Sequence, residues 1–189
     1  MKSIGLFGGS FDPVHNAHLS LAQAALRDLA LDELRWIPAG QPWQKTRRLA
    51  DAAHREAMVA LAIEGEPRFV LDRIELDRPG PSYTLDTVRA LQAAQPGAQW
   101  FLILGQDQQA GLPTWHGVGE LLGLVTLAVA QRPGAPEVSA SAATARSIEL
   151  PPMKLSSTEV RARCVAGLPI DEMVPAKVAR YIDQHGLYR

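Results

Sequence analysis

The stretch Ile4-Gly5-Leu6-Phe7-Gly8-Gly9-Ser10-Phe11-Asp12-Pro13-Val14-His15-Asn16-Ala17-His18 decides how the chain is read. Its apolar start, Ile4 to Phe7, is a short continuous run that stops at a glycine pair, the pattern of a strand buried on both faces. Beyond the turn at Asp12-Pro13, Asn16 is the expected cap of a helix carrying Leu19, Ala22, Ala25, Leu26 and Leu29 at helical spacing. The glycines let a ligand approach the backbone, and the helix start offers free N–H groups and a positive dipole end. Two histidines four positions apart or less at that end suit a phosphate better than a carbonyl group.

The same alternation continues outward. Strands are expected at Arg35–Pro38, at Phe69–Leu71, at Ile74–Leu76, at Gln99–Leu104 ending on Gly105, within Leu122–Ala130, and at Ser147–Leu150. Helices are expected after Asp51 (Met58, Leu61 and Ala62 on one face), from Thr84 as cap (Leu85, Val88, Leu91 and Gln92 inward), from Ser157 to about Ala166, and from Pro175 to about His185. The second of these last two carries Val174, Val178, Tyr181 and Ile182 at helical spacing, with Gly186 ending it. Two stretches read as loops, the basic segment Ala39–Arg48 and the Ala/Ser/Pro/Gly-rich segment Gly134–Ala145. Apolar strands alternating with amphipathic helices imply a parallel sheet covered on both faces, which binds ligands beyond the carboxyl ends of its strands. Gly8-Gly9 and Gly105 both lie at such ends.

Composition narrows the function. The 189 residues carry 19 Lys plus Arg against 20 Asp plus Glu, a net charge of −1. That balance argues against a nucleic-acid coat or a polybasic membrane binder. The longest apolar run, Leu121–Ala130, is about half of a membrane span. The single Cys164 cannot form an internal disulfide and suits a reducing, cytoplasmic compartment. One domain is expected, with a radius of gyration of roughly 16 Å. No residue pattern commits the chain to an oligomer.

Neither a Gly-x-Gly-x-x-Gly fingerprint nor a Walker loop is present. Asp12, His15 and His18 also admit a zinc reading, but the Glu of a hydrolytic zinc helix is missing and no cysteine cluster completes a site. A glycine turn followed by two solvent-facing histidines is the plain alternative.

Gly9-x-Phe11-Asp12-Pro13-x-His15-x-x-His18 resembles the signature of the nucleotidyltransferase superfamily, whose core is a (T/H)xGH motif. Ser156-Ser157-Thr158-x-x-Arg161 resembles its second motif, ISSTxxR. Between them, Pro81-Ser82-Tyr83-Thr84, Gly105-Gln106-Asp107 and Pro113-Thr114-Trp115 are similar to segments of the bacterial nicotinate-nucleotide adenylyltransferases, as are Tyr181-Ile182 and Gly186-Leu187-Tyr188 near the C-terminus. The chain departs from the pattern at two places. Ala17 stands where the core motif usually has Gly, a methyl that fits if φ is negative there. Gln44 stands where the family often has His, ahead of Lys45.

The resemblance implies an α/β, Rossmann-like doubly wound parallel sheet with helices on both faces and a C-terminal helical segment, one domain over 1–189. It implies transfer of AMP from ATP to nicotinate mononucleotide, with Mg²⁺ as bridging metal. The alternatives are the same chemistry on nicotinamide mononucleotide or another phosphate acceptor, and a non-catalytic nucleotide-binding module. His15, His18, Lys45 and Arg161 are the implied catalytic residues. Gly8, Gly9, Ser10, Phe11, Asp107, Arg132, Ser156, Ser157 and Thr158 would bind ATP, and Tyr83, Thr84, Trp115 and His116 the mononucleotide. The near-neutral total would then hide His15, His18, Lys45, Arg132 and Arg161 gathered around one polyphosphate.

Several of these residues carry a second reading. Ser156 and Glu159 form a capping-box pair, and Arg161 alone would be a solvated arginine. Trp115 could be core, Thr84 and Asp107 helix caps, and Arg132 part of a surface turn. No partner can be named from sequence for His54 or His185.

Overall fold

A computed structural model describes residues 1–41, 49–131, 145–151 and 153–189. The elements run β1 (Ser3–Gly9), α1 (Asn16–Asp28), β2 (Glu33–Pro38), α2 (Ala52–Ile63), β3 (Phe69–Leu71), α3 (Thr84–Ala94), β4 (Gln99–Leu104), α4 (Gln106–Gly111), a 3₁₀ turn (Leu112–Thr114), α5 (Val118–Leu124), β5 (Thr126–Gln131), β6 (Ala145–Glu149), α6 (Ser157–Val165) and α7 (Ala176–Gln184). The six strands form one sheet in the order β3-β2-β1-β4-β5-β6, every pairing parallel. This is a doubly wound order, with its switch point between β1 and β4.

The strands are apolar on both sides because each side carries its own core. Successive residues point to opposite faces. Phe7, Trp36, Phe101, Ile103 and Ala128 pack with Leu26, Met58, Val59, Val160, Val178 and Ile182 from α1, α2, α6 and α7. Leu6, Ile37, Trp100, Leu102 and Val129 pack with Leu85, Val88, Leu91 and Leu121 from α3 and α5.

Local departures from the sequence reading have identifiable causes. His15, not Asn16, caps α1. Asn16 is drawn into the first turn because its backbone N–H donates to Met173 O at 2.9 Å and its side-chain amide to Glu172 O at 3.0 Å. Likewise Tyr83 caps α3, and Thr84 is its first helical residue. Residues 74–76 form a turn rather than a strand. Asp72 Oδ1 accepts from Ile74 N–H at 3.0 Å, an Asx turn that breaks the extended run. The apolar run 121–130 is split, its front closing α5 and its back forming β5. A short apolar run does not by itself separate helix from strand. Val174 lies just before α7, which Pro175 caps. Asp51, in contrast, caps α2 as expected. No helix among the described residues is long and apolar enough to cross a membrane.

Candidate active site

Beyond the carboxyl ends of the central strands lies a cavity of about 590 Å³. Its floor is Gly8 and Gly9 from β1 with Gly105 after β4, and its rim includes the starts of α1, α3, α4 and α6. Every residue assigned to the site from sequence that the structure describes lines this cavity, from Gly8 to Arg161. Lys45 and Arg132, with Gln44, lie outside the described residues.

The loop between β1 and α1 is held from several directions. Buried Arg55 of α2 donates from Nη1 to Ser10 O at 2.9 Å and from Nε to Ala50 O at 3.0 Å. Arg161 Nη1 donates to Asp12 O at 2.7 Å, and the Ser157 hydroxyl donates to Pro13 O at 2.9 Å. The Asp12 side chain is fully buried, its Oδ1 accepting from the Tyr188 hydroxyl at 2.7 Å and from Ala50 N–H at 3.2 Å. Buried polar groups require such partners; α2 and α6 supply them to the carbonyls, and the C-terminal segment to the Asp12 side chain. Phe11, at φ +46°, turns its ring inward against Phe7 and Trp36. The same ring meets His18 edge to face at 5.1 Å.

His15 and His18 stack, ring centroids 3.7 Å apart and 22° from parallel. His15 N–H donates to His18 Nδ1 at 3.1 Å, so neutral His18 carries its proton on Nε2. Burial pushes His15 down from 6.5 to about 4. His18 is also pushed well below its ordinary value, by burial first and by neighbouring His15 second. At neutral pH the pair therefore offers N–H donors without charge, beside a helix N-terminus that favours an anion. Ala17 lies between them at negative φ, so the extra methyl is accommodated as the sequence suggested.

A second helix start faces the same space. Ser156 caps α6, its hydroxyl accepting from Glu159 N–H at 3.2 Å. Thr158 Oγ1 accepts from Arg161 Nη2 at 3.1 Å. Arg161 is thus fixed between the β1–α1 loop and its own helix rather than extended into solvent.

The other end of the cavity is aromatic. The Tyr83 and His116 rings lie 4.6 Å apart at 32°. Trp115 is half-buried, packed on the Leu85-side core, and also lines the cavity. Exposed Asp107 lies in the first turn of α4, which Gly105 caps.

Sequence reasoning missed what stands behind Tyr83. Glu75 and Thr87 are buried and line the cavity. Thr87 Oγ1 donates to Glu75 Oε1 at 2.8 Å and accepts from Arg78 Nη2 at 2.9 Å. Burial raises the Glu75 carboxyl above its ordinary value, against the opposing pull of Thr87, Arg78 and Ser82. The polar spacing Glu75-x-x-Arg78 ahead of Pro81 was the available signal. His54 also has a partner: its Nδ1 lies 2.9 Å from the Tyr181 hydroxyl.

Residues 6–163 match the family described as cytidylyltransferase-like. A protein of Methylibium petroleiphilum named "Probable nicotinate-nucleotide adenylyltransferase" is 53% identical over 196 residues, covering 99% of this chain and 92% of its own. A protein of Bacillus pumilus with the same name is 42% identical over 189 residues, covering 100% and 99%. Among solved structures, Plasmodium falciparum nicotinic acid mononucleotide adenylyltransferase complexed with APC superposes at TM-score 0.82 and 20% identity, covering 100% of this chain and 98% of that one. Its complex with NaAD gives 0.80 at the same identity and coverage. At that identity the likeness is one of fold.

Proposed function

The chain belongs to the cytidylyltransferase-like family and, within it, to the nicotinate-nucleotide adenylyltransferases, and from that premise we propose a residue-level account of how it transfers AMP from ATP to nicotinate mononucleotide. A phosphate oxygen of the mononucleotide attacks the α-phosphorus of ATP. The bond from that phosphorus to the bridging oxygen breaks, and pyrophosphate leaves with the electron pair. The products are nicotinate adenine dinucleotide and pyrophosphate. The nucleophile is already ionised at neutral pH, so no strong base is needed and catalysis reduces to in-line positioning and charge stabilisation.

The observation that carries the reading is the single cavity onto which both helix starts and the aromatic end open. The ATP polyphosphate lies along Gly8, Gly9, Ser10 and the α1 start, with His15 and His18 as neutral donors. Arg161 supplies fixed positive charge beside Ser156–Thr158, and Lys45 adds a second cation. Phe11 acts through His18, whose ring it props. Asp107 accepts sugar hydroxyls, and we assign Arg132 to the adenine. The pyridine ring of the mononucleotide stacks on Trp115, with Tyr83, Thr84 and His116 as donors around it.

Members of the family use a divalent metal ion. Among the described residues no three His, Cys, Asp or Glu side chains converge to hold one. We take the metal to be Mg²⁺ arriving on the nucleotide, since Mg²⁺ keeps several waters and binds largely through substrate phosphates. When bound it neutralises phosphate charge. The enzyme works in the cytosol, the compartment that suits its one half-buried cysteine.

Mixing the protein with ATP, Mg²⁺ and each mononucleotide in turn, and measuring pyrophosphate, tests the reading. Release is expected with nicotinate mononucleotide and to a smaller extent with the amide. No release with any pyridine nucleotide overturns it.

A further inference from the structure

Glu75 lies at a junction of three segments. Its backbone carbonyl presses on Gly40, where an added Cβ would lie 2.1 Å from Glu75 O. Its carboxyl accepts from Thr87, in the first turns of α3. The Ser82 hydroxyl is turned toward it as well and favours its charged form. Ser82 Oγ itself accepts from Gly40 N–H at 3.1 Å and Gln41 N–H at 3.2 Å, so its own proton is free to point at the carboxylate. Arg78 completes the group, donating through Nη2 to Thr87 Oγ1 at 2.9 Å and to Tyr83 O at 3.5 Å. Glu75 is 8% exposed, so this is a framework inside the wall of the cavity and not a solvated surface cluster.

We propose that Glu75 is a positioning residue of the acceptor end of the cavity, its carboxylate clamping Ser82 and Thr87 on either side of Tyr83-Thr84 so that this helix start is presented rigidly to the mononucleotide. The chemistry requires a carboxylate. The Thr87 hydroxyl lies 2.8 Å from Glu75 Oε1 and 3.3 Å from Tyr83 O, and the carboxylate, which only accepts, is the nearer and stronger acceptor for it and for Ser82. Glutamine has the same size but offers an NH₂ to one of the two, setting donor against donor. The Thr87 hydroxyl then turns to Tyr83 O, or Ser82 moves away, and either change slackens the clamp. Tyr83-Thr84 would then shift while the distant α1 and α6 starts stay in place. The inference rests on the assignment of Tyr83, Thr84 and Trp115 to the acceptor.

The test is steady-state kinetics of Glu75→Gln with both substrates varied, alongside Trp115→Ala. Glu75→Gln is expected to raise KM for nicotinate mononucleotide about tenfold, leaving KM for ATP within about twofold. An equal rise in both values, or no rise, overturns the inference. If Trp115→Ala raises the mononucleotide KM and Glu75→Gln does not, the clamp fails and the acceptor assignment stands. If neither does, the acceptor assignment itself fails. Should Glu75→Gln not fold, Thr87→Val and Thr87→Ser decide instead. The valine, lacking the donor, should reproduce the selective KM rise, and the serine should restore the normal value. Identical behaviour of the two also overturns the inference.

Discussion

The His15 backbone N–H donates to His18 Nδ1 at 3.1 Å while the two rings stack at 3.7 Å, so one short segment fixes both the tautomer and the orientation of His18. In its proposed role the donor at Nε2 needs no reorganisation when a phosphate arrives. His18→Ala should lower kcat by about 10²–10³, the usual loss for one preorganised donor to developing charge. The melting temperature should change far less than removal of a catalytic group changes the rate. Turnover near the normal value in a folded His18→Ala protein would remove His18 from the mechanism.

The same burial makes the fold acid-sensitive. His15 sits at about 4 when folded and at 6.5 when unfolded. Between those values the unfolded chain takes up a proton that the folded one does not, so stability falls as pH falls. The full shift is about 3 kcal/mol by pH 4 for His15 alone, and His18 adds in the same direction. Urea midpoints measured from pH 7.5 down to pH 4.5 should therefore drop, and His15→Asn should flatten the drop. A slope unchanged by that substitution would show that other groups set it.

Trp115 divides its surface between core and cavity. Trp115→Ala should mainly raise KM for the mononucleotide, with a smaller effect on kcat. A change confined to thermal stability would make Trp115 a core residue only.

Gly40 has no room for a side chain, since the added Cβ would lie 2.1 Å from Glu75 O. The obstacle is backbone and cannot rotate away. Gly40→Ala should destabilise by about 3 kcal/mol, at the upper end of overpacking costs. Chemical denaturation measures this directly, and a loss below about 0.5 kcal/mol would mean that the β2 exit yields easily.

Tyr188→Phe removes one donor to the buried Asp12 carboxyl group. The expected cost is about 1.5–3 kcal/mol, the range for a bond to a charged group. A melting-temperature shift should show it, with a fall in kcat as the β1–α1 loop loosens.

The legible parts of the sequence were those whose meaning is local. Ile4–Phe7 with Gly8-Gly9 shows a buried strand and its end, and the alternation that follows implies the doubly wound sheet. The two motifs, at Gly9–His18 and Ser156–Arg161, point to the two helix starts that meet across the cavity. What escaped was set by distant chain. Asn16 is the better cap by intrinsic preference, yet its donors go to Glu172 and Met173, more than 150 residues away. Ile74-Glu75-Leu76 looks like a strand with one polar residue until Asp72 bends it. The depressed histidines depend on the burial that packing around Phe7 and Phe11 completes, which spacing alone does not reveal.

The ties on the Asp12-Pro13 turn also set a timetable for the newborn chain. Ser157 meets Pro13 across 144 positions, Arg161 meets Asp12 across 149, and Tyr188 meets Asp12 across 176. Synthesis from the N-terminus adds about 5–20 residues per second. A ribosome-bound chain that has reached β6 therefore holds the six strands described and the ties from Arg55 and Ala50, but lacks those from α6 and Tyr188. The last of these ties forms only after residue 188 has been made and has reached Asp12.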